Sequence, residues 1–190
     1  EITWKYIHQI EKACRGARFN AGHRIIAEME SHFPRVWILT QNIDGFHRQA
    51  GSRNIVDIHG DIHSLRCTRC RYRTEVDSYA TLTIPPLCPE CRAVIRPDVV
   101  LFGEMLPYDK LRRIREEMEN GFDIVFSIGT TSVFSYIADP IWNARRRGAL
   151  TVEINPGMTE VTCSVDIKFS AGAAETLDAI WKHYQKTGKS

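Results

Sequence analysis

The chain has 190 residues, 43% of them hydrophobic and 25% charged, with a formal net charge of +2. That is enough to bury a real core in one domain, or in one and a small second, while the charge makes no electrostatic case for nucleic acid or an anionic membrane as partner. No apolar run approaches the roughly 20 residues a spanning helix needs, and Glu1 to Ile10 lacks a basic stretch followed by an apolar one.

The first thirty residues read as two helices. Ile2, Tyr6 and Ile10 share one face of the first, and Gly16 breaks it. Asn20 is a good N-cap for the second, whose apolar stripe is Ile25, Ile26 and Met29. After Pro34, Val36 to Leu39 is an unbroken apolar run, of the kind found in parallel strands covered on both faces. The same grammar recurs: Ile55 to Ile58 precedes His59-Gly60, Val99 to Phe102 precedes Gly103, Ile124 to Ile128 precedes Gly129, and Leu150 to Ile154 precedes Asn155-Pro156-Gly157. Helical stretches follow at Asp109 to Asn120, Tyr136 to Arg147 and Ala173 to Lys186. Strand, polar turn and helix in alternation predict an α/β fold, a Rossmann-like parallel sheet with helices on both faces. Ligands of such sheets bind beyond the carboxyl ends of the strands, where the polar clusters of this chain fall.

Between two of these strands lie Cys67-Thr-Arg-Cys70 and Cys88-Pro-Glu-Cys91, seventeen residues apart. Two thiolates on each short knuckle can share one tetrahedral metal, and four protein ligands leave no open position. The spacing therefore predicts one structural zinc ion in a small ribbon inserted at residues 63–95, with residues 1–62 and 96–190 forming the larger domain and residues 1–30 able to pack with the ribbon. Thr74 to Pro86, with few core-grade residues, would be a linker held mainly by the metal. Four metal-type cysteines suggest a reducing, cytoplasmic address, with Cys14 and Cys163 as free thiols.

Gln41-Asn42-Ile43-Asp44, after the first apolar run, offers donors and acceptors suited to a ligand with amide and sugar hydroxyls. It equally fits a turn in which Asn42 and Asp44 satisfy their own backbone. His59, at a strand end, is a candidate general base, and Gly60 would let a ligand approach the backbone. His47 and His63, beside charged residues, read as solvated. Gly129-Thr130-Thr131, before a helix, resembles a phosphate-binding turn, although many helix caps look alike. Neither a Walker loop nor a Gly-x-Gly-x-x-Gly fingerprint is present.

Taken in order, Asn20-Ala21-Gly22-His23, Thr40-Gln41-Asn42-Ile43-Asp44, His59-Gly60, the paired cysteines, Arg96-Pro97-Asp98-Val99-Val100-Leu101-Phe102-Gly103-Glu104, Gly129-Thr130-Thr131 and Asn155 resemble the sirtuins, the NAD-dependent protein lysine deacylases. The resemblance implies attack of an acyl-lysine oxygen on the nicotinamide ribose, loss of nicotinamide, and release of free lysine and O-acetyl-ADP-ribose. His59 would be the base for a ribose hydroxyl, with Asn42 and Asp44 assisting. Gln41, Asn42, Ile43 and Asp44 would line the nicotinamide and ribose pocket. Gly129, Thr130 and Thr131 would face phosphates or adenosine, with Asn155 and Ala174 also on the cofactor. The backbone of Val99, Val100, Gly103 and Glu104 would hold the acyl-lysine peptide as an added strand, with Val100 and Phe102 at the acyl tunnel.

Two departures carry expectations. The family opens with a strand and a Gly-Ala-Gly-x-Ser loop that contacts NAD, absent from these residues, so residues 1–190 are expected to be part of a longer chain and inactive alone. Sirtuins that prefer acidic acyl groups carry Tyr-x-x-Arg in the helix before Asn20. Those positions fall near Ile7 and Ile10 here, and no such pair occurs from Trp4 to Arg18. With nothing to pair a buried carboxylate, a neutral acyl group is expected. Ser135-Tyr136 also stands where the family loop would carry proline. Protein ADP-ribosyl transfer from the same NAD site, or a catalytically dead, zinc-stabilised interaction module, are the competing readings.

Overall fold

The computed structural model describes residues 2–188, and of Ile2 the backbone alone. Helix α1 (Ile2–Cys14) is followed by α2 (Ala21–Met29). Asn20 caps α2 as expected: its side-chain oxygen accepts from the backbone N–H of Gly22 and His23, and the His23 ring reaches back to the Asn20 N–H. The buried face of α1 differs from the expected one. Trp4, Ile7 and Glu11 are buried, whereas Tyr6 and Ile10 are largely exposed. Ile2, the third residue of the expected face, has a side chain outside the described residues. What decides the face is the partner: the Trp4 indole packs edge-on to Tyr79, and its N–H donates to the Ile95 carbonyl at 2.8 Å.

Three small sheets follow, rather than one continuous sheet. Strands β1 (Ile38–Thr40) and β2 (Ile55–Asp57) are parallel, with helix α3 (Phe46–Gln49) between them. Strand β3 (Gly60–Cys67) is flanked by β4 (Arg73–Glu75) and β5 (Ile95–Val99) in antiparallel order β4-β3-β5. Helix α4 (Tyr108–Glu119) leads to β6 (Ile124–Ile128), α5 (Ser135–Arg146), β7 (Leu150–Ile154), β8 (Ile167–Phe169) and α6 (Ala173–Thr187), with β6-β7-β8 parallel. The parallel strands and their helices are the α/β arrangement the apolar runs predict. On one side of the β6-β7-β8 sheet, α2 meets α6, where Ile25, Leu177 and Trp181 close over Val152 and Ile154. Side chains of this size contribute about 1.5–3 kcal/mol each on burial.

One expectation about the inserted region is corrected and another extended. The apolar run Val99 to Phe102 is not a parallel strand. Extended pairing occupies Ile95–Val99, antiparallel to β3, and Val100 to Glu104 leave the sheet in a turn. The segment from Thr74 to Pro86, expected to be held mainly by the metal, also contributes to the core, because Tyr79 within it is fully buried. Its phenol donates to the Ile62 carbonyl, and it anchors a cluster with Trp4, Ile7, Leu65 and Ile95. Thus α1 packs on the ribbon and α2 on the larger part.

Candidate active site

The strand ends converge as the sequence suggests, and hydrogen bonds link the loops. Backbone pairing comes first: the Ile58 N–H donates to the Thr40 carbonyl, and the Val100 N–H to the His59 carbonyl at 2.8 Å. These bonds fix His59 between β1 and the segment after β5. Gly60 has φ +87°, and a side chain there would place Cβ 1.9 Å from the Asp98 carbonyl oxygen. The close approach that requires glycine is therefore by β5, not by a ligand. Three residues of β3 beyond Asp61 bulge out of the β5 ladder, and the Ile62 N–H donates instead to the Ile43 carbonyl at 2.8 Å. The ribbon is stitched by that bond to the Gln41–Asp44 loop.

His59 makes two contacts that define its state. Its Nδ1 lies 3.1 Å from the Gln41 carbonyl oxygen, and its Nε2 lies 2.8 Å from the Tyr136 hydroxyl. A carbonyl can only accept, so Nδ1 carries the proton. In the neutral ring Nε2 then holds the lone pair, and the Tyr136 O–H donates to it. The Gln41 side chain continues outward, its Nε2 donating to Thr130 Oγ1 at 3.2 Å, and the Thr130 carbonyl accepts from Asn155 Nδ2 at 3.0 Å. One hydrogen-bonded chain thus runs from His59 through Gln41 and Thr130 to Asn155. It crosses from the β1 loop to the β6 and β7 loops, which belong to sheets not paired with one another.

The remaining predicted residues fall around this chain unequally. Asn42 is exposed, and its backbone N–H donates to Thr40 Oγ1. Asp44 accepts the Phe46 N–H at 2.9 Å, which is the turn that the sequence left open as an alternative. Gly129 has φ +62° with open space where a side chain would stand, but its N–H donates to the Ile154 carbonyl. Thr131 is exposed, and α5 starts only at Ser135, so the glycine turn does not sit on the helix N-terminus as expected. Ala174 lies at the start of α6, against Gly22.

Val99 is buried in the ribbon core and Val100 half-buried, while Phe102 stands free in solvent and Gly103 and Glu104 are exposed. Arg96 clamps Glu104 with two bonds, at 2.5 and 3.0 Å, and holds its carboxyl below the ordinary range. Glu104 in turn accepts the Leu101 N–H, which fixes the turn after β5. In the three-stranded sheet β5 is an outer strand; at its start the Ile95 N–H donates to the Pro86 carbonyl and the Ile95 carbonyl accepts the Trp4 indole N–H, and at its end the Val99 carbonyl accepts from Arg96.

Sequence reasoning missed three features. Tyr136 is the first; its only signal was belonging to Ser135-Tyr136, where proline was expected. The second is the pair His47 and His23, whose ring centroids are 4.6 Å apart. His47 is half-buried rather than solvated, and burial, with His23 beside it, pushes it down to about 4. The third is His63, also not solvated: it pairs with Asp61 at 3.3 Å, which raises its pKa. Asp61 is also bonded to Arg48 at 2.9 Å.

The four cysteines come together as predicted. The Sγ atoms of Cys67 and Cys91 are 3.5 Å apart, as are those of Cys70 and Cys88, and all four lie within 4.8 Å of one another without a disulfide. Tetrahedral zinc with Zn–S bonds of about 2.3 Å requires S···S separations of about 3.8 Å. The N–H groups of Cys70 and Arg69 point at the Cys67 sulfur and pull its thiol down to about 6, favouring the thiolate a metal needs. The set fits one zinc ion. Cys14 and Cys163 are free and exposed. Among the described residues no helix is long and apolar enough to cross a membrane.

The Sir2 family model matches residues 2–135. An NAD-dependent protein deacylase 2 of Pseudomonas aeruginosa is 42% identical over 185 residues, which cover 96% of this chain and 72% of that protein. The crystal structure of a Sir2 homolog–NAD complex superposes with a TM-score of 0.89 at 35% identity, covering 96% of this chain and 71% of the other. A Sir2 bound to acetylated peptide gives 0.80 at 27% identity, covering 92% and 73%.

Proposed function

This chain belongs to the Sir2 family, and we propose that it removes acyl groups from protein lysines with consumption of NAD, using His59 as the general base. The single observation that carries the assignment to His59 is its place at the inner end of the chain His59–Gln41–Thr130–Asn155. That chain spans the carboxyl ends of β1, β6 and β7, where an α/β sheet binds a nucleotide.

NAD supplies a ribose carbon from which nicotinamide departs and a hydroxyl that must be deprotonated. The residues divide that work. The lone pair on His59 Nε2 is where the hydroxyl proton ends, and the Gln41 carbonyl holds the ring in the tautomer that places this lone pair on Nε2. Asn42, Ile43 and Asp44 would bind the nicotinamide and ribose side, with the Asn42 amide exposed to a ligand. Gly129, with no side chain in the space over the turn, lets phosphates come close, and Thr130, Thr131, Asn155 and Ala174 would complete the nucleotide side.

The substrate peptide would add to the edge of β5 and the turn after it, along Val99, Val100, Phe102, Gly103 and Glu104. Supporting this, the Arg96–Glu104 clamp holds the turn before any peptide arrives. Of the two positions expected to select acidic acyl groups, Ile7 is buried in the ribbon core and Ile10 is exposed. Neither brings a cation, so a neutral acyl group fits. Residues 63–95 form the zinc ribbon, set into a nucleotide-binding part of residues 1–62 and 96–190, and a cytoplasmic address goes with the reduced cysteines.

The test is turnover by the complete protein with NAD and either acetyl-lysine or succinyl-lysine peptides, with products identified by mass spectrometry. Free lysine and nicotinamide are expected, with the acetyl peptide strongly preferred. His59→Ala should lower kcat by about 10²–10⁴ with zinc content intact. Unchanged turnover by His59→Ala would remove His59 from the chemistry, and ADP-ribosylated peptide would replace deacylation with transfer. Equal kcat/KM on the two peptides would refute the neutral preference.

A further inference from the structure

His59 does not present its lone pair to open space. The Tyr136 hydroxyl lies 2.8 Å from Nε2, and the two rings meet edge to face at 6.1 Å and 73°. With the proton on Nδ1 the phenol is the donor, so the only basic lone pair of the neutral ring is already engaged. Among the described residues, the phenol oxygen makes no other hydrogen bond, so it can still accept one. Phe134 stacks on the Tyr136 ring at 5.5 Å and 18°, which limits the directions in which the phenol can swing away. Partial burial raises the Tyr136 pKa, keeping it protonated and able to donate.

A hydroxyl that is to be deprotonated by His59 can reach Nε2 in two ways. It can displace the phenol, or it can bond to the phenol oxygen and pass its proton through. We propose that Tyr136 is a catalytic residue that relays the proton of the substrate ribose hydroxyl to His59. In that step the ribose O–H bond breaks as its proton goes to the phenol oxygen. The phenol O–H breaks as its proton goes to Nε2, and the freed ribose oxygen forms its bond to the acyl carbon as the π bond between that carbon and the lysine nitrogen breaks, its electron pair moving onto the nitrogen. Tyr136 ends neutral, and His59 ends as imidazolium. The proposal rests on His59 being the base.

The two routes predict opposite signs for Tyr136→Phe, which keeps the ring and its stacking on Phe134 and removes only the hydroxyl. The relay predicts a fall in deacylation kcat on the order of 10²-fold, with peptide KM changed less than about twofold. Exchange of labelled nicotinamide into NAD precedes the proton step and should change little. Combining Tyr136→Phe with His59→Ala should cost no more than His59→Ala alone, since the relay has no acceptor without the imidazole. Deacylation by Tyr136→Phe that is unchanged or faster would overturn the relay, because it means that the phenol merely caps the base. Equal losses of exchange and deacylation would also overturn it, assigning Tyr136 to the shape of the NAD pocket. Either result leaves the role of His59 standing, since that is tested by His59→Ala alone.

Discussion

Replacing Gly60 with alanine tests whether the ribbon positions the base. The perturbation has two parts. At φ +87° an L side chain sits in the left-handed region, which costs about 1–2 kcal/mol. The new Cβ would also fall 1.9 Å from the Asp98 carbonyl oxygen and 3.0 Å from the Val99 Cα. Real contacts essentially never fall below 3.0 Å, so β5 would have to retreat by about an ångström, and overpacking of this kind costs about 1–3 kcal/mol. The total is about 2–5 kcal/mol, which for a chain of this length lowers Tm by roughly 4–20 °C. Gly16→Ala is the control. Gly16 has φ +83° but nothing within 4 Å of the added methyl, so it carries the backbone part alone, about 1–2 kcal/mol. The assay is thermal unfolding by circular dichroism for both variants, with deacylation rate measured below the transition. The retreat of β5 pulls on the Val100 N–H bond to the His59 carbonyl, so Gly60→Ala should also lose activity at temperatures where it is folded. A Tm for Gly60→Ala equal to that of Gly16→Ala, with wild-type turnover, would refute the claim that β5 seats His59.

Removing zinc with a chelator, or Cys67→Ala, should cut deacylation more than tenfold while much of the helical circular dichroism remains, since α2 and α6 pack on β7 away from the ribbon; full activity in a protein shown to be metal-free would overturn this. Lowering the pH should destabilise the fold through His47. Its folded pKa, depressed to about 4 from 6.5, means that the unfolded chain binds the proton first, so this contribution is complete above pH 6.5 and is lost as pH falls from there toward 4. Discounted for partial exposure, the loss is about 1–2 kcal/mol, read as a smaller pH 7 to pH 5 difference in urea unfolding for His47→Gln than for wild type; an equal difference would show that His47 does not contribute.

How much could be read from the sequence depended on what holds each element. Strands β6 and β7 were legible end to end because β6 is apolar but for Ser127 and β7 sets Leu150, Val152 and Ile154 in alternation with Thr151 and Glu153, and the helices α5 and α6 carry a clear stripe. Strand β3 was not, since Gly60-Asp-Ile-His-Ser-Leu-Arg-Cys67 mixes polar and apolar residues around a bulge whose donor is satisfied from another loop, by the Ile43 carbonyl. The face of α1 was misread because Tyr6 and Ile10 are as apolar as Trp4 and Ile7, and only the tertiary partner Tyr79 selects between them. At the site, strand-end position found His59, Gln41, Thr130 and Asn155. It could not find Tyr136, because that contact joins residues 77 apart through a side chain no local pattern marks.

The geometry of β3 explains why a closed metal site matters to a reaction it cannot take part in. The strand begins at Gly60, next to His59, and ends at Cys67, a zinc ligand, and β5 pairs with it at both ends: Gly60 with Val99, and Cys67 with Ile95. Between those ends the ladder is interrupted, so the register on the His59 side is not enforced by continuous pairing. Two anchors hold it instead. The cluster of Tyr79, Trp4 and Leu65 grips the middle, and four thiolates around one ion fix Cys67 relative to Cys88 and Cys91 beyond β4. Loss of the metal frees one end of both strands while the apolar grip persists. The first casualty should then be the alignment of Gly60 on Val99, and with it the bond between Val100 and His59, before the ribbon itself comes apart.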